Sequence, residues 1–121
     1  MRKNYINITE HDTFVYVEIM QDRIDLFDTP EMSKYLHSFL GKFGYPHLII
    51  DMRNVQRLDS AGYGLFITIM NKCKKKGNDA VLVCGHDQMM ENVKIAKIDY
   101  IFNVFITYEE AEAFILQLTK S

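Results

Sequence analysis

Residues 47–84, HLIIDMRNVQRLDSAGYGLFITIMNKCKKKGNDAVLVC, decide the fold. The segment opens on the unbroken apolar trio Leu48-Ile49-Ile50 within residues 47–52 and closes on Val81-Leu82-Val83 within residues 80–84. Short continuous apolar runs of this kind suit strands buried on both faces, as in parallel sheets. Between them Leu65, Phe66, Ile69, Met70 and Cys73 recur at helical spacing from Ser60 to Lys76, so the whole reads as one strand-helix-strand unit. Lys72, Lys74, Lys75 and Lys76 end that helix just before Gly77. Cations there complement the negative end of the helix dipole, and glycine supplies a left-handed cap.

Outward from this unit the same signals continue. Residues 4–9 and 13–20 are β-rich runs parted by Glu10-His11-Asp12, which predicts a hairpin. After a link, Gln21 to Phe27, the run Asp28-Thr29-Pro30-Glu31 combines a capping side chain, an early proline and an acidic first turn, so a helix starts there. Its apolar stripe is Met32, Leu36, Phe39, Leu40 and Phe43, and Gly44 and Pro46 end it. Downstream, residues 87–97 read as a helix with Met89, Val93 and Ala96 on one side, and residues 103–106 as a short strand. Thr107-Tyr108-Glu109-Glu110 then forms a capping box ahead of the stripe Ala111, Phe114, Ile115, Leu118. The expected fold is a single α/β domain over residues 1–121, a mixed sheet with an N-terminal hairpin and about four packed helices.

Composition narrows the function. A net charge of −2, with the four lysines at 72–76 as the one dense basic stretch, lacks the footprint of a nucleic-acid binder. The chain has 2 cysteines, Cys73 and Cys84, and 4 histidines scattered without metal-ligand spacing, so no metal or cofactor is expected. Both cysteines sit on apolar patterns and read as small core residues, which fits a reducing cytoplasm. No window approaches the roughly 20 apolar residues that span a bilayer, so a free-standing cytoplasmic subunit is expected.

The polar interruption Arg57-Leu58-Asp59-Ser60-Ala61-Gly62-Tyr63-Gly64 falls at a strand-to-helix turn, where function concentrates. Three catalytic readings fail or lack support. A nucleophile elbow needs glycine where Leu58 stands, and Gly62-Tyr63-Gly64 runs into Leu65, Phe66 and Ile67 rather than the lysine or third glycine of a phosphate loop. Carboxylates Asp25, Asp51 and Asp59 show no shared pocket. Two readings of Ser60 stay open: a plain helix N-cap, or an exposed hydroxyl on a face shared with Tyr63, Gly64 and Ile67. That face would suit docking of another protein's helix, or else pack against the preceding loop.

The motif Leu58-Asp59-Ser60-Ala61-Gly62-Tyr63-Gly64 resembles the D-S-[STA]-G-L-G signature of STAS domains, in particular the bacterial anti-sigma factor antagonists of sporulation and general stress. Ile24-Asp25 followed by Pro30 is similar to the family's G-x-[LI]-D element and the helix after it. Ile98-Asp99-Tyr100-Ile101-Phe102 is similar to its segment between the last two strands, so the resemblance covers nearly the whole chain. Departures are Asp22 and Lys97, where the family has glycine, and Tyr63, where it has leucine.

The resemblance implies a non-enzymatic phosphoswitch acting in transcription regulation. Ser60 would be phosphorylated by a serine kinase that is also the anti-sigma factor; the unmodified form binds that kinase, and a PPM-type phosphatase restores it. Asp25, Asp59, Ala61, Gly62, Tyr63, Gly64 and Ile67 would form the partner-binding surface, and a dimer is left open. The alternative is a STAS scaffold or accessory subunit of a signalling or transport complex, not switched at Ser60.

Overall fold

The computed structural model describes residues 6–118. Strands β1 (Ile6–Glu10) and β2 (Val15–Ile19) form the expected hairpin, antiparallel from Ile6 opposite Ile19 to Glu10 opposite Val15. Residues 4 and 5 of the first expected run lie outside the described residues. A two-residue strand β3 (Arg23–Ile24) precedes helix α1 (Thr29–Lys42), and β4 (Leu48–Asp51) is followed by a second two-residue strand, β5 (Arg57–Leu58). Helix α2 (Ser60–Lys75), β6 (Ala80–Val83), α3 (Asp87–Ile95), one 3-10 turn (Ile98–Tyr100), β7 (Asn103–Phe105) and α4 (Tyr108–Leu118) complete the order.

The main sheet runs β1-β2-β4-β6-β7, with β2, β4, β6 and β7 parallel. Val17 stands opposite Ile50, Ile50 opposite Leu82, and Leu82 opposite Val104. Strand alternation then sorts the side chains. Val17, Ile50, Leu82 and Cys84 join Leu36 and Leu40 of α1, Ile69 and Cys73 of α2, and Met89 and Val93 of α3 in one core cluster. Ile49, Val81 and Val83 pack on the other face with Ala111 and Ile115 of α4. Helices thus cover both faces, which explains why every residue of β4 and β6 is buried.

Helix ends follow the local chemistry, with two corrections. The Thr107 and Glu110 capping box forms: Glu110 N–H donates to Thr107 Oγ1 at 3.2 Å and Thr107 N–H to Glu110 Oε1 at 3.2 Å. Gly77 takes φ +82°, and the bonds Gly77 N–H to Lys74 O and Asn78 N–H to Cys73 O, both 3.0 Å, close α2 with a Schellman motif. Asp28, expected to cap α1, instead turns its carboxylate back to accept from Asp25 N–H at 3.2 Å, leaving α1 with no side-chain cap bond. Phe43, Ala96 and Leu118, expected on apolar stripes, are exposed, because each lies in the final turn of its helix or just beyond it.

Among the described residues one charged group lies inside. Asp51 is 1% exposed and sits at the end of β4 on the α4 face, where Arg53 binds it with Nη2 to Oδ2 at 2.7 Å and Nε to Oδ1 at 3.0 Å. The Tyr16 hydroxyl donates to the same Oδ2. Burial, then the bond to Asp51, pushes the Tyr16 hydroxyl up, while the Asp51 carboxylate raises Arg53. Both residues are locked in their hydrogen-bonding forms.

Candidate functional site at the start of helix α2

The short strands β3 and β5 pair in parallel, Arg23 opposite Arg57 and Ile24 opposite Leu58. The chain therefore delivers Asp25 and Asp59 side by side as both segments leave the pair. Asp59 N–H donates to Ile24 O at 3.3 Å, and Gln56 and Arg57 both donate backbone N–H to Asp22 O. Neither strand was expected, because two residues carry no periodicity; residues 21–27 read as a bare link.

Asp59, not Ser60, is the N-cap of α2. Its backbone is extended, Oδ1 accepts from Gly62 N–H at 3.0 Å, and Oδ2 accepts from Leu26 N–H at 3.0 Å. One carboxylate thus caps the helix and tethers the β3–α1 loop. This corrects the N-cap reading of Ser60, and the reason is tertiary: Ile24 and Leu26 fix Asp59 where its oxygen meets the free helix amides. Ser60 becomes the first helical residue, exposed, with its hydroxyl in no hydrogen bond among the described residues. The first turn of α2 contains no acidic residue, so the positive end of the helix dipole is met by the capping carboxylate of Asp59.

Around Ser60 the other expected site residues of α2 meet four environments. Gly64 is exposed, and a Cβ there would meet nothing within 4 Å, so the backbone itself is the surface. Ala61 is partly buried and joins Gly64, Thr29, Ser33 and Thr68 along a shallow groove between α1 and α2. Tyr63 and Ile67 are half-buried and pack against the main core cluster, so the pair is less exposed than the helical wheel suggested. Burial raises the Tyr63 hydroxyl. Gly62 is buried: a Cβ there would run into Leu58 Cδ1 and lie 3.3 Å from Ile24 Cγ2, so it is glycine because α2 rests directly on β3 and β5.

Asp25 accepts from Phe27 N–H at 2.9 Å and pairs loosely with Arg23, 3.8 Å from Nε. Asp51 belongs elsewhere, neutralised by Arg53 on the α4 face, so the three carboxylates do not form one acid-base site. Among the described residues no group of three or more His, Cys, Asp or Glu side chains is placed to hold a metal ion. Sequence reasoning missed Leu26 and Phe27, which project from the tethered loop at 64% and 89% exposure. The available signal was two large apolar residues in succession between Asp25 and Asp28.

The family model for the STAS domain matches residues 5–111. The chain belongs to the STAS family. Its fold is similar to that of a STAS-domain anti-sigma factor antagonist from Planctomyces limnophilus, with TM-score 0.81 and 14% identity over 92% of this chain and 97% of that one. The anti-sigma factor antagonist SpoIIAA in its unphosphorylated form gives TM-score 0.70 and 12% identity, covering 93% and 97% of the two chains. A portion of the murine Slc26a9 anion transporter also matches, with TM-score 0.72 and 19% identity over 90% of this chain but 18% of the transporter. No helix among the described residues is long and apolar enough to cross a membrane.

Proposed function

We propose that this STAS domain is an anti-sigma factor antagonist: a cytoplasmic, non-enzymatic module that binds an anti-sigma factor serine kinase while Ser60 is unmodified and releases it once Ser60 is phosphorylated. The observation that carries the proposal is the division of labour at the α2 N-terminus. Asp59 performs the capping, so Ser60 is an exposed hydroxyl with no structural task among the described residues. Its neighbour Gly64 presents bare backbone, against which a partner can approach closely.

A phosphate on Ser60 adds about −1.5 to −2 charge and three acceptor oxygens beside the Asp59 carboxylate. The helix dipole offsets part of that charge, so the fold persists. An interface shaped for a neutral hydroxyl next to Asp59 does not tolerate it, and a penalty of about 3 kcal/mol weakens binding roughly a hundredfold. A PPM-type phosphatase would reset the switch. In this reading Asp25, Asp59, Ala61, Tyr63, Gly64 and Ile67 shape the docking face, with Gly62 supporting it from beneath.

Incubation with an anti-sigma factor serine kinase and ATP tests the proposal: mass spectrometry is expected to find one phosphate, on Ser60. Ser60→Asp should abolish kinase binding while leaving the circular dichroism spectrum unchanged, and Ser60→Ala should bind without being labelled. The likeness to a portion of an anion transporter supports a second reading, a scaffold or accessory subunit not switched at this serine. Equal partner binding by wild type, Ser60→Ala and Ser60→Asp would favour that reading.

A further inference from the structure

The β3–α1 loop spends four hydrogen bonds on holding two apolar side chains in water. Leu26 N–H is bound by Asp59 Oδ2 at 3.0 Å and Phe27 N–H by Asp25 Oδ1 at 2.9 Å. Asp28 N–H and Thr29 N–H both donate to Asp25 O, at 3.0 and 3.2 Å. Successive backbone donors are thus fixed across the whole turn. Phe27, at 89%, is the most exposed large apolar side chain among the described residues.

We propose that Phe27, with Leu26 beside it, is the anchor by which the protein docked at Ser60 is held, inserting into an apolar pocket rimmed by arginine or lysine. The inference rests on the reading of Ser60 as a switched docking site and adds where its affinity comes from. Three observations support it. The anchor is continuous with the switch, since the carboxylate that holds Leu26 also caps α2 immediately before Ser60. The turn is hydrogen-bonded within the unbound chain, which limits the loop entropy lost on docking, and an aromatic is the residue type that dominates interface energetics. Charge selects the occupant: Asp22, Asp25, Asp28 and Asp59 surround the loop against Arg23 and Arg57, while Lys72, Lys74, Lys75 and Lys76 lie at the opposite end of α2. An acidic-rimmed apolar knob complements a cationic-rimmed pocket, and a second copy docked knob to knob would set like charges together.

Titration calorimetry of wild type, Phe27→Ala, Leu26→Ala and Ser60→Asp against the same anti-sigma factor serine kinase tests this. Phe27→Ala is expected to raise Kd about thirtyfold. Leu26→Ala should raise it less, and both should keep the wild-type urea midpoint because the side chains are exposed. Wild-type affinity in Phe27→Ala, with binding lost in Ser60→Asp, overturns the anchor and leaves the switch standing. The reverse result, weak binding in Phe27→Ala and full affinity in Ser60→Asp, keeps the anchor and removes the switch. Sedimentation supplies the remaining arm: a wild-type dimer that Phe27→Ala converts to monomer, at unchanged kinase affinity, makes a second copy the occupant and overturns the proposal.

Discussion

Gly62 and Gly64 stand two residues apart in α2 and meet opposite environments. A methyl at Gly62 collides with Leu58, whereas one at Gly64 points into open space. Gly62→Ala is therefore expected to cost about 1–3 kcal/mol through overpacking. Gly64→Ala should stabilise by about 1 kcal/mol, because alanine replaces a flexible residue in a helix interior. Urea unfolding of the pair measures both, and loss of partner binding in the more stable Gly64→Ala would place its backbone in the interface. Asp51 and Arg53 give a second contrast. Arg53→Met strands a carboxylate that is 1% exposed and should cost about 3 kcal/mol, while Tyr16→Phe removes one hydrogen bond and should cost about 1 kcal/mol. Equal losses in the two variants would mean that Asp51 recruits water once Arg53 is gone.

Between elements, Asp59 joins the N-terminus of α2 to the loop ahead of α1. Asp59→Ala should cost about 1 kcal/mol for the cap and release the Leu26 amide as well. Hydrogen exchange resolves the two effects: Gly62 and Leu26 amides both speed up in Asp59→Ala, but only one of them in Asp59→Asn, because a carboxamide has a single oxygen. Packing of α1 near α2 brings a pH dependence. His37 shares a 2.7 Å hydrogen bond with the Tyr45 hydroxyl, and burial, then Lys72, holds its pKa below the ordinary 6.5. The folded state binds this proton less readily than the unfolded chain. The resulting stability is present above pH 6.5 and fades as pH falls from 6.5 through the lowered folded value. Urea midpoints recorded across that window should decline in wild type and decline less in His37→Gln. At this scale much was legible: the 107–110 capping box and the 77–78 helix stop rest on residues a few positions apart, and both form as their sequence implies.

Across the whole molecule, two helix-covered sheet faces leave no free thiol accessible: Cys73 and Cys84 are buried, and burial pushes both up to about 12. Native protein at pH 8 should resist a thiol alkylating reagent and react at both cysteines only as fast as it unfolds, which mass spectrometry against time in urea can check. Modification of Cys84 alone in water would reveal local opening of the core around it. The burial pattern behind this was present in the chain itself, because alternation at period 2 and recurrence at period 3.6 mark inward positions wherever the partner segment lies. That is why β4, α2, β6 and the stripe of α1 were readable. Which residue caps α2 was not: Asp59 and Ser60 are comparable caps by propensity, and the choice falls to Leu26, 33 residues away, through a bond that exists only once β3 lies beside β5. The same holds for Asp51, whose partner Tyr16 lies 35 residues away. Local pattern therefore determined most inward positions and where helices run, while tertiary pairing of distant segments decided that Asp59 caps α2, that Ser60 is left free and that Phe27 projects from the loop tethered to Asp59.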